Sequence, residues 1–594
     1  MNKNRNSKLQ ITAWRIIQVS LIVLTILGIV KSVFVSLDMD ESYAIAQAYR
    51  LVTGDKLIYD MWEPHQFSAF LPAVFLFPFY KITGGMEYSV IFLRIAGVLL
   101  HTLLGVFLYI TAKKETNKCA AFLLLILHMN FLPKWVAVPE FELMHYWSLV
   151  LIFLLLYSFE ESGGVYRPIL AGMAYVISGL CYPTMIFLFP VFLIGLITSK
   201  RKTGVVLFSA ASVISAFFVL LLCYLFAEDR MIPYLSYILA DPSHASLSGI
   251  QKIQSFLSQF AEVGVPFGIS LLAAAIPTAV LSVVDAGKKK SSGEKKNADW
   301  LIILLAISTV LLSMRALFGY VFGDENQFTM QVRYVPFAIL LLLVSIRDYR
   351  VCRREFWYGI LPGVLAFPAV LVLSNMGVNV AFSKLFCVVI PGVFVLYKCE
   401  KKETVSGSFD SLLCKGRKAA HMLALAAFLL CFFCCRILLI RVTGCLPVTV
   451  KANMERIENG PAKGIYVTEE PALYWNTSYK ELKNFIPEDA NVLYVGREQL
   501  FYACFCKRTM APSVQGTTIY NEMYDAYYDE FPGKRPQIVV FDESLYSNPV
   551  YSQMVEGYDL KADHIKEWMD KNFDIVEEKK AGIYRVVYLE SKSD

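Results

Sequence analysis

Apolar stretches long enough to cross a bilayer recur through the first three quarters of the chain, and they constrain its fold more than any other feature. About 20 helical residues at about 1.5 Å each cover about 30 Å of hydrocarbon, and a segment in lipid must satisfy its backbone hydrogen bonds internally. Residues 14–37, 89–112, 205–226, 263–284, 300–320 and 421–440 have that length. Somewhat shorter runs lie at 119–135, 145–159, 168–181, 184–198, 332–346, 356–374 and 380–397. The pattern predicts a mainly α, polytopic membrane helix bundle of about thirteen transmembrane helices. A mean hydropathy of +0.50 and a hydrophobic content of 56% over 594 residues argue against a soluble enzyme.

The net charge of +6 does not point to nucleic acid, because Lys and Arg fall in short loops between apolar runs, where they set orientation. Lys3, Arg5, Lys8 and Arg15 place the amino end in the cytoplasm. Lys113, Lys114 and Lys118 mark the next cytoplasmic loop, so residues 89–112 form the one crossing between it and an external loop at 37–88. Residues 67–83, which carry Pro72 and Pro78, are then expected in the outer interface rather than across the bilayer. Basic loops at 200–202, 288–296, 347–354 and up to Lys418 fall on the cytoplasmic side by the same count, which leaves the carboxyl end outside. Residues 14–37 are too long for a removable signal peptide, lack a small-residue cleavage site, and are expected to stay as an anchor. Most of the 13 cysteines lie inside apolar runs, where Cys behaves as a small hydrophobe, and none has zinc-site spacing.

From Arg441 the composition becomes that of a soluble domain, so the chain divides into a membrane part at 1–440 and an extracytoplasmic α/β domain at 441–594. Residues 491–495 and 537–541 read as buried parallel strands, 520–531 and 562–573 as helices, and 573–589 as a hairpin turning at Ala581-Gly582. No Gly-rich phosphate loop follows the first of these strands, since Val495-Gly496-Arg497-Glu498 has the wrong composition. Cys504 and Cys506 are too close in sequence for an easy disulfide and are read as thiols.

Chemistry concentrates in Asp38-Met39-Asp40-Glu41, directly after the first apolar run. Three acids in four residues repel one another, so they face water or await a cation, a proton or a substrate hydroxyl. The external loop continues with Gly54-Asp55, Tyr59-Asp60 and Pro64-His65, and Arg94 lies near the start of the next crossing. Gln331-Val332-Arg333-Tyr334-Val335-Pro336 opens a later one.

Taken in that order, these segments resemble the GT-C glycosyltransferases, within them the protein O-mannosyltransferase and lipid A aminoarabinose transferase group. The resemblance covers the membrane part as architecture and these short segments as motif. Here Asp38 enriches the usual acidic pair, one residue separates Tyr334 from Pro336 where the group has two, and Trp62-Glu63-Pro64-His65-Gln66 lacks the paired prolines of the aminoarabinose branch. The resemblance implies inverting transfer of a sugar from a polyprenyl-phosphate-linked donor to a hydroxyl of a glycan, lipid or protein acceptor, at the external face of the cell membrane and among its lipids. It maps the general base onto Asp40; positioned bases supply about 10²- to 10⁴-fold. Glu41 is expected to orient an acceptor or hold a divalent ion, and Asp60, His65, Arg94, Arg333 and Tyr334 to contact substrate. Arg333 is the preferred phosphate partner because a guanidinium forks two hydrogen bonds to an oxyanion. A divalent metal stays open, with Asp40, Glu41, Glu142 and His145 as candidate ligands.

Each residue also has a plainer reading. Acids at a membrane edge can be a solvated helix end; Asp60 and His65 can shape a turn; Arg94 can snorkel; Arg333 can anchor an interface. Glu140, Glu142 and His145 are expected in a hydrated external loop, His244 has only its Asp241-Pro242-Ser243 setting to recommend it, and Asn476-Thr477-Ser478 matches the glycosylation triplet as chance allows. Two other classes compete. A secondary transporter would carry ionisable groups near the midplane and show related halves, neither of which is seen. A non-enzymatic surface receptor displaying the terminal domain would leave surface glycans unchanged when the first loop is altered.

Overall fold

The computed structural model describes residues 2–239, 249–288, 297–322, 329–373, 378–405, 412–441, 447–449, 453–496, 498–515, 521–543 and 562–592. His244, residues 289–296 of the basic loop, and Arg497 lie outside them.

Every one of the thirteen apolar runs is helical over most of its length. The helices are α1 (Asn2–Phe34), α2 (Met39–Thr53), α3 (Phe70–Thr83), α4 (Ser89–Glu115), α5 (Lys118–Asn130), α6 (Phe141–Ser162), α7 (Tyr166–Cys181), α8 (Phe189–Ile197) and α9 (Thr203–Ala227). They continue as α10 (Met231–Leu239), α11 (Gly249–Lys288), α12 (Asn297–Phe322), α13 (Tyr334–Arg347), α14 (Tyr349–Glu355), α15 (Leu361–Leu373), α16 (Val378–Phe382), α17 (Val389–Val405) and α18 (Leu412–Leu438). Among the described residues, eight helical segments are long and apolar enough to cross a membrane, and shorter apolar helices at Lys118–Asn130 and Pro183–Ile197 complete the bundle. The chain is therefore a polytopic helical membrane protein.

Helix α6 is the hub: 89% of its most apolar window is buried inside the bundle, against 17% for α9, whose Val213, Ile214, Phe217 and Phe218 point outward as a lipid-facing surface. The core around α6 joins α5, α7, α13, α17 and α18 through residues such as Phe153, Phe337, Phe394 and Phe428. Within it, His101 of α4 and His128 of α5 stack at 4.0 Å and each bonds the other's backbone carbonyl, with Trp147 and Tyr146 of α6 occupying their remaining nitrogens. This arrangement ties three helices through fully partnered polar groups.

The stretch from Leu37 to Gln66, read as polar loop, begins with the helix α2. Asp38 is its N-cap, forming a capping box with Glu41, and Gly54 ends it in the left-handed conformation at φ 107°. Its buried face is partly polar, with Glu41, Ser42, Gln47 and Arg50 all inside, so no apolar periodicity advertised it. Residues 67–83 form a short 3-10 turn and α3, which leaves Phe70, Val74 and Phe77 exposed as an apolar face.

After α18, β1 (Leu439–Arg441) pairs with β2 (Pro447–Thr449), and β3 (Met454–Arg456) with β4 (Tyr466–Thr468). A four-stranded sheet follows from β5 (Val492–Val495), β6 (Ile538–Asp542), β7 (Phe573–Ala581) and β8 (Tyr584–Ser591), in the order β5-β6-β8-β7. The β5–β6 pair is parallel, and β7–β8 is a hairpin turning at Gly582 with φ 59°, as the strand pattern predicts. Helices at Asn521–Glu530 and Ala562–Asn572 occupy the expected stretches, and Cys504 and Cys506 are thiols. This region is fastened to the membrane part: Ile457, Ile465 and Trp475 share one core with Ile45, Tyr49 and Leu93. Ser36 N–H donates to the Tyr466 carbonyl, and Val90 N–H to that of Pro461.

Candidate functional site

The three clustered acids are separated by their partners. Asp38 is spent on capping: its side chain accepts from Asp40 N at 3.1 Å, and it is 2% exposed. Glu41 is wholly buried; it accepts two hydrogen bonds from Arg94, Nε to Oε1 and Nη2 to Oε2, each at 2.6 Å, and a third from the Asp38 backbone N–H at 3.3 Å. Arg94 also donates to the carbonyls of Val33, Val35 and Ser36, closing the link between α1 and α2. Glu41, expected to orient an acceptor or hold a metal, and Arg94, expected to contact substrate, form a buried ion pair, and Arg94 does not snorkel. Asp40 differs, because its side chain keeps 26% exposure while forming an ion pair with Lys134.

Lys134 stands on the 131–140 connection between α5 and α6, its ammonium 4.5 Å from the Phe141 ring centre. That connection lies hard against α4: a Cβ on Gly97 would sit 1.5 Å from the Ala137 carbonyl oxygen, so only glycine permits the approach. His65, held at φ 59°, stacks on the other contact of the same ring, Phe141, at 4.3 Å. Pro64 O beside it accepts from Tyr43 Oη at 2.7 Å and Gln47 Nε2 at 2.8 Å, which fixes α2 against this turn. Phe141 thus joins His65 to the Asp40–Lys134 pair.

Flanking Lys134, Pro133 and Trp135 line a cavity of about 50 Å³ whose other walls include Glu142, His145, Tyr146, Gln331, Arg333, Tyr334 and Lys384. Arg333 stacks on the Tyr334 ring at 4.7 Å and donates Nη2 to its hydroxyl at 3.1 Å. Glu142 accepts from Lys384 Nζ at 2.6 Å and from Tyr182 Oη at 2.5 Å, and Lys384 lies 3.9 Å over the Tyr182 ring. Glu140 caps α6, accepting from Glu142 N and Leu143 N at 2.8 Å each. Burial pushes its carboxyl up to about 7, Lys134 pulling against that and Glu142 adding to it. The hydrated loop expected for Glu140, Glu142 and His145 is instead a buried corner, each residue at 9% exposure or less.

Glu142, His145, Arg333 and Tyr334 therefore line one cavity, while Asp40 and His65 stand outside its lining and are tied to each other through Lys134 and Phe141. Asp60 is elsewhere: it accepts from Lys534 Nζ at 2.6 Å and Lys56 N at 2.8 Å, at the seam with the C-terminal region. The residues present do not fit a divalent metal. Asp40 is held by Lys134, Glu41 by Arg94, Glu142 by Lys384 and Tyr182, and His145 Nδ1 by Ser178. Among the described residues no cluster of three or more His, Cys, Asp or Glu is disposed to ligate one. Sequence reasoning missed Lys134, Tyr182 and Lys384; a lone lysine within the 380–397 apolar run was the available signal, since a charge in a membrane segment marks a site by default.

No known protein-family profile matches the chain, and no curated protein does. Two solved structures are similar to it in outline. One is the archaeal oligosaccharyltransferase AglB from Archaeoglobus fulgidus, in complex with an inhibitory peptide and a dolichol-phosphate; it aligns at a TM-score of 0.40 and 11% identity over 97% of this chain and 74% of its own. The other is ArnT from Cupriavidus metallidurans in the apo state, at a TM-score of 0.40 and 11% identity over 97% of this chain and 98% of its own.

Proposed function

We propose that this chain is an integral-membrane glycosyltransferase of the GT-C type, moving a sugar from a polyprenyl-phosphate-linked donor to an acceptor hydroxyl at the external face of the membrane. The observation that carries this reading is the sorting of the first acidic turn. Asp38 and Glu41 are consumed by folding, and Asp40 alone keeps solvent access, paired with Lys134, whose chain neighbours Pro133 and Trp135 line a cavity that also holds the buried guanidinium of Arg333. A base and an anion receptor are what a direct displacement at an anomeric carbon needs.

In this mechanism Asp40 takes the proton of the acceptor hydroxyl as its oxygen attacks the anomeric carbon. Lys134 fixes the carboxylate's position through their ion pair. The bond to the lipid phosphate breaks with its electron pair passing to the phosphate, whose charge Arg333 receives through its forked donors. One displacement inverts the anomeric configuration. The amino terminus is cytoplasmic and the C-terminal region extracytoplasmic in this reading, which follows the placement of basic loops.

The test is a transfer assay in membranes with a panel of polyprenyl-phosphate sugars, comparing wild type with Asp40→Asn. Turnover is expected to drop by about 10²- to 10⁴-fold. Full turnover in the variant removes Asp40 as the base, and no transfer from any lipid-linked donor by the wild type removes the enzymatic reading.

A further inference from the structure

His145 lies in the second turn of α6, 1% exposed, and lines the cavity together with Arg333. Its Nδ1 is 2.9 Å from Ser178 Oγ of α7. That hydroxyl is itself fully buried and has no other partner among the described residues, so its hydrogen is satisfied by donation to Nδ1. The ring hydrogen then sits on Nε2, and Nε2 has no hydrogen-bond partner among the described residues. A buried N–H without an acceptor is unfavourable unless a ligand supplies one.

The neighbouring charges indicate what that ligand brings. Lys384, already bound to Glu142, and Arg333 both line the cavity, so guanidinium and ammonium donors border it. A polyprenyl-phosphate sugar is a phosphodiester with one negative charge. When the acceptor oxygen bonds the anomeric carbon and the carbon–oxygen bond to phosphate breaks, the electron pair leaves with the phosphate, the hydroxyl proton goes to Asp40, and the lipid phosphate gains a second anionic oxygen.

We propose that His145 donates an Nε2–H hydrogen bond to that new phosphate oxygen, with Ser178 as the positioning residue that fixes the ring's hydrogen on Nε2. This inference rests on the lipid-phosphate reading of the same cavity. A bond that strengthens as the leaving group separates favours the transition state over the bound donor. It also makes the site bind a phosphomonoester more tightly than a phosphodiester.

The experiment measures binding of two probes, farnesyl phosphate and its methyl phosphodiester, to the purified full-length protein. Wild type is expected to prefer farnesyl phosphate by about 10- to 100-fold, the range for a hydrogen bond to a charged group. His145→Phe loses that preference while keeping its affinity for the diester, and His145→Gln, with an N–H in reach, retains part of it. Equal preference in wild type and His145→Phe, with both probes bound, overturns the role of His145 and leaves the lipid-phosphate site standing. Binding of neither probe by wild type overturns both.

Discussion

Glu41 and Arg94 share two parallel hydrogen bonds of 2.6 Å with both side chains closed to solvent, across 53 positions of sequence. Breaking a buried pair by removing one partner leaves an uncompensated charge and costs about 3–5 kcal/mol. Arg94→Met is therefore expected to lower the thermal unfolding temperature in detergent strongly. The Glu41→Gln/Arg94→Met double variant should recover part of the loss, because no buried charge is then left behind. Recovery is incomplete, since Arg94 also binds three carbonyls around 33–36. Additive losses in the double variant would show that the two residues do not act as a pair.

A second buried arginine fastens the first loop to the C-terminal region. Arg50 donates to Asp55 Oδ2, Glu63 Oε1 and the carbonyls of Asp60 and Pro512, and Glu63 Oε2 accepts from Ser513 Oγ and Val514 N at 3.0 Å. Glu63→Ala strips residues 513 and 514 of their acceptor and leaves the guanidinium with one fewer carboxylate. Hydrogen exchange at residues 509–515 is expected to rise about tenfold or more, since losing hydrogen bonds to a charged group is worth about 1.5–3 kcal/mol. Unchanged protection there would mean that apolar contacts alone hold the seam.

Much of this architecture was legible because apolar length and alternation are local signals. The thirteen apolar runs, the parallel β5–β6 pair and the turn at Gly582 each follow from neighbouring residues. Helix α2 was not legible, since Glu41, Gln47 and Arg50 on its inner face are matched by Arg94, Pro64 and Glu63 in other segments. The same holds for the site. Asp40 and Arg333 stood out as types at membrane edges, but that Lys134 would take Asp40, and Lys384 would take Glu142, depends on which loops the bundle brings together.

Those pairings bear on metal dependence. With Glu142 held by Lys384 and Tyr182, Glu41 by Arg94, and Asp40 by Lys134, each carboxylate of the candidate set already has a cationic partner in the protein. Treatment with EDTA, followed by magnesium or manganese at millimolar concentration, is expected to leave both the unfolding temperature and sugar transfer unchanged. A rise of more than about 2 °C on adding either ion, which for a chain of 594 residues is about 2.5 kcal/mol, would show a bound metal.

Glu140 gives the molecule a stability that depends on pH. Burial raises its folded-state carboxyl to about 7 from the ordinary 4.5, with Lys134 opposing the shift. The folded protein therefore holds this proton more tightly than the unfolded chain does. The contribution is fully present below about 4.5 and is lost as pH rises toward about 7, amounting to about 3 kcal/mol by linkage. Wild type in detergent is expected to unfold at a lower temperature at pH 7.5 than at pH 5.5, judged against the Glu140→Gln variant to remove the background of other groups. Glutamine keeps a carbonyl oxygen for the α6 cap and does not titrate, so its profile over that interval should be flatter. Parallel profiles in the two proteins would mean that Glu140 stays ionised in the fold, its two backbone N–H bonds and Lys134 outweighing the loss of water.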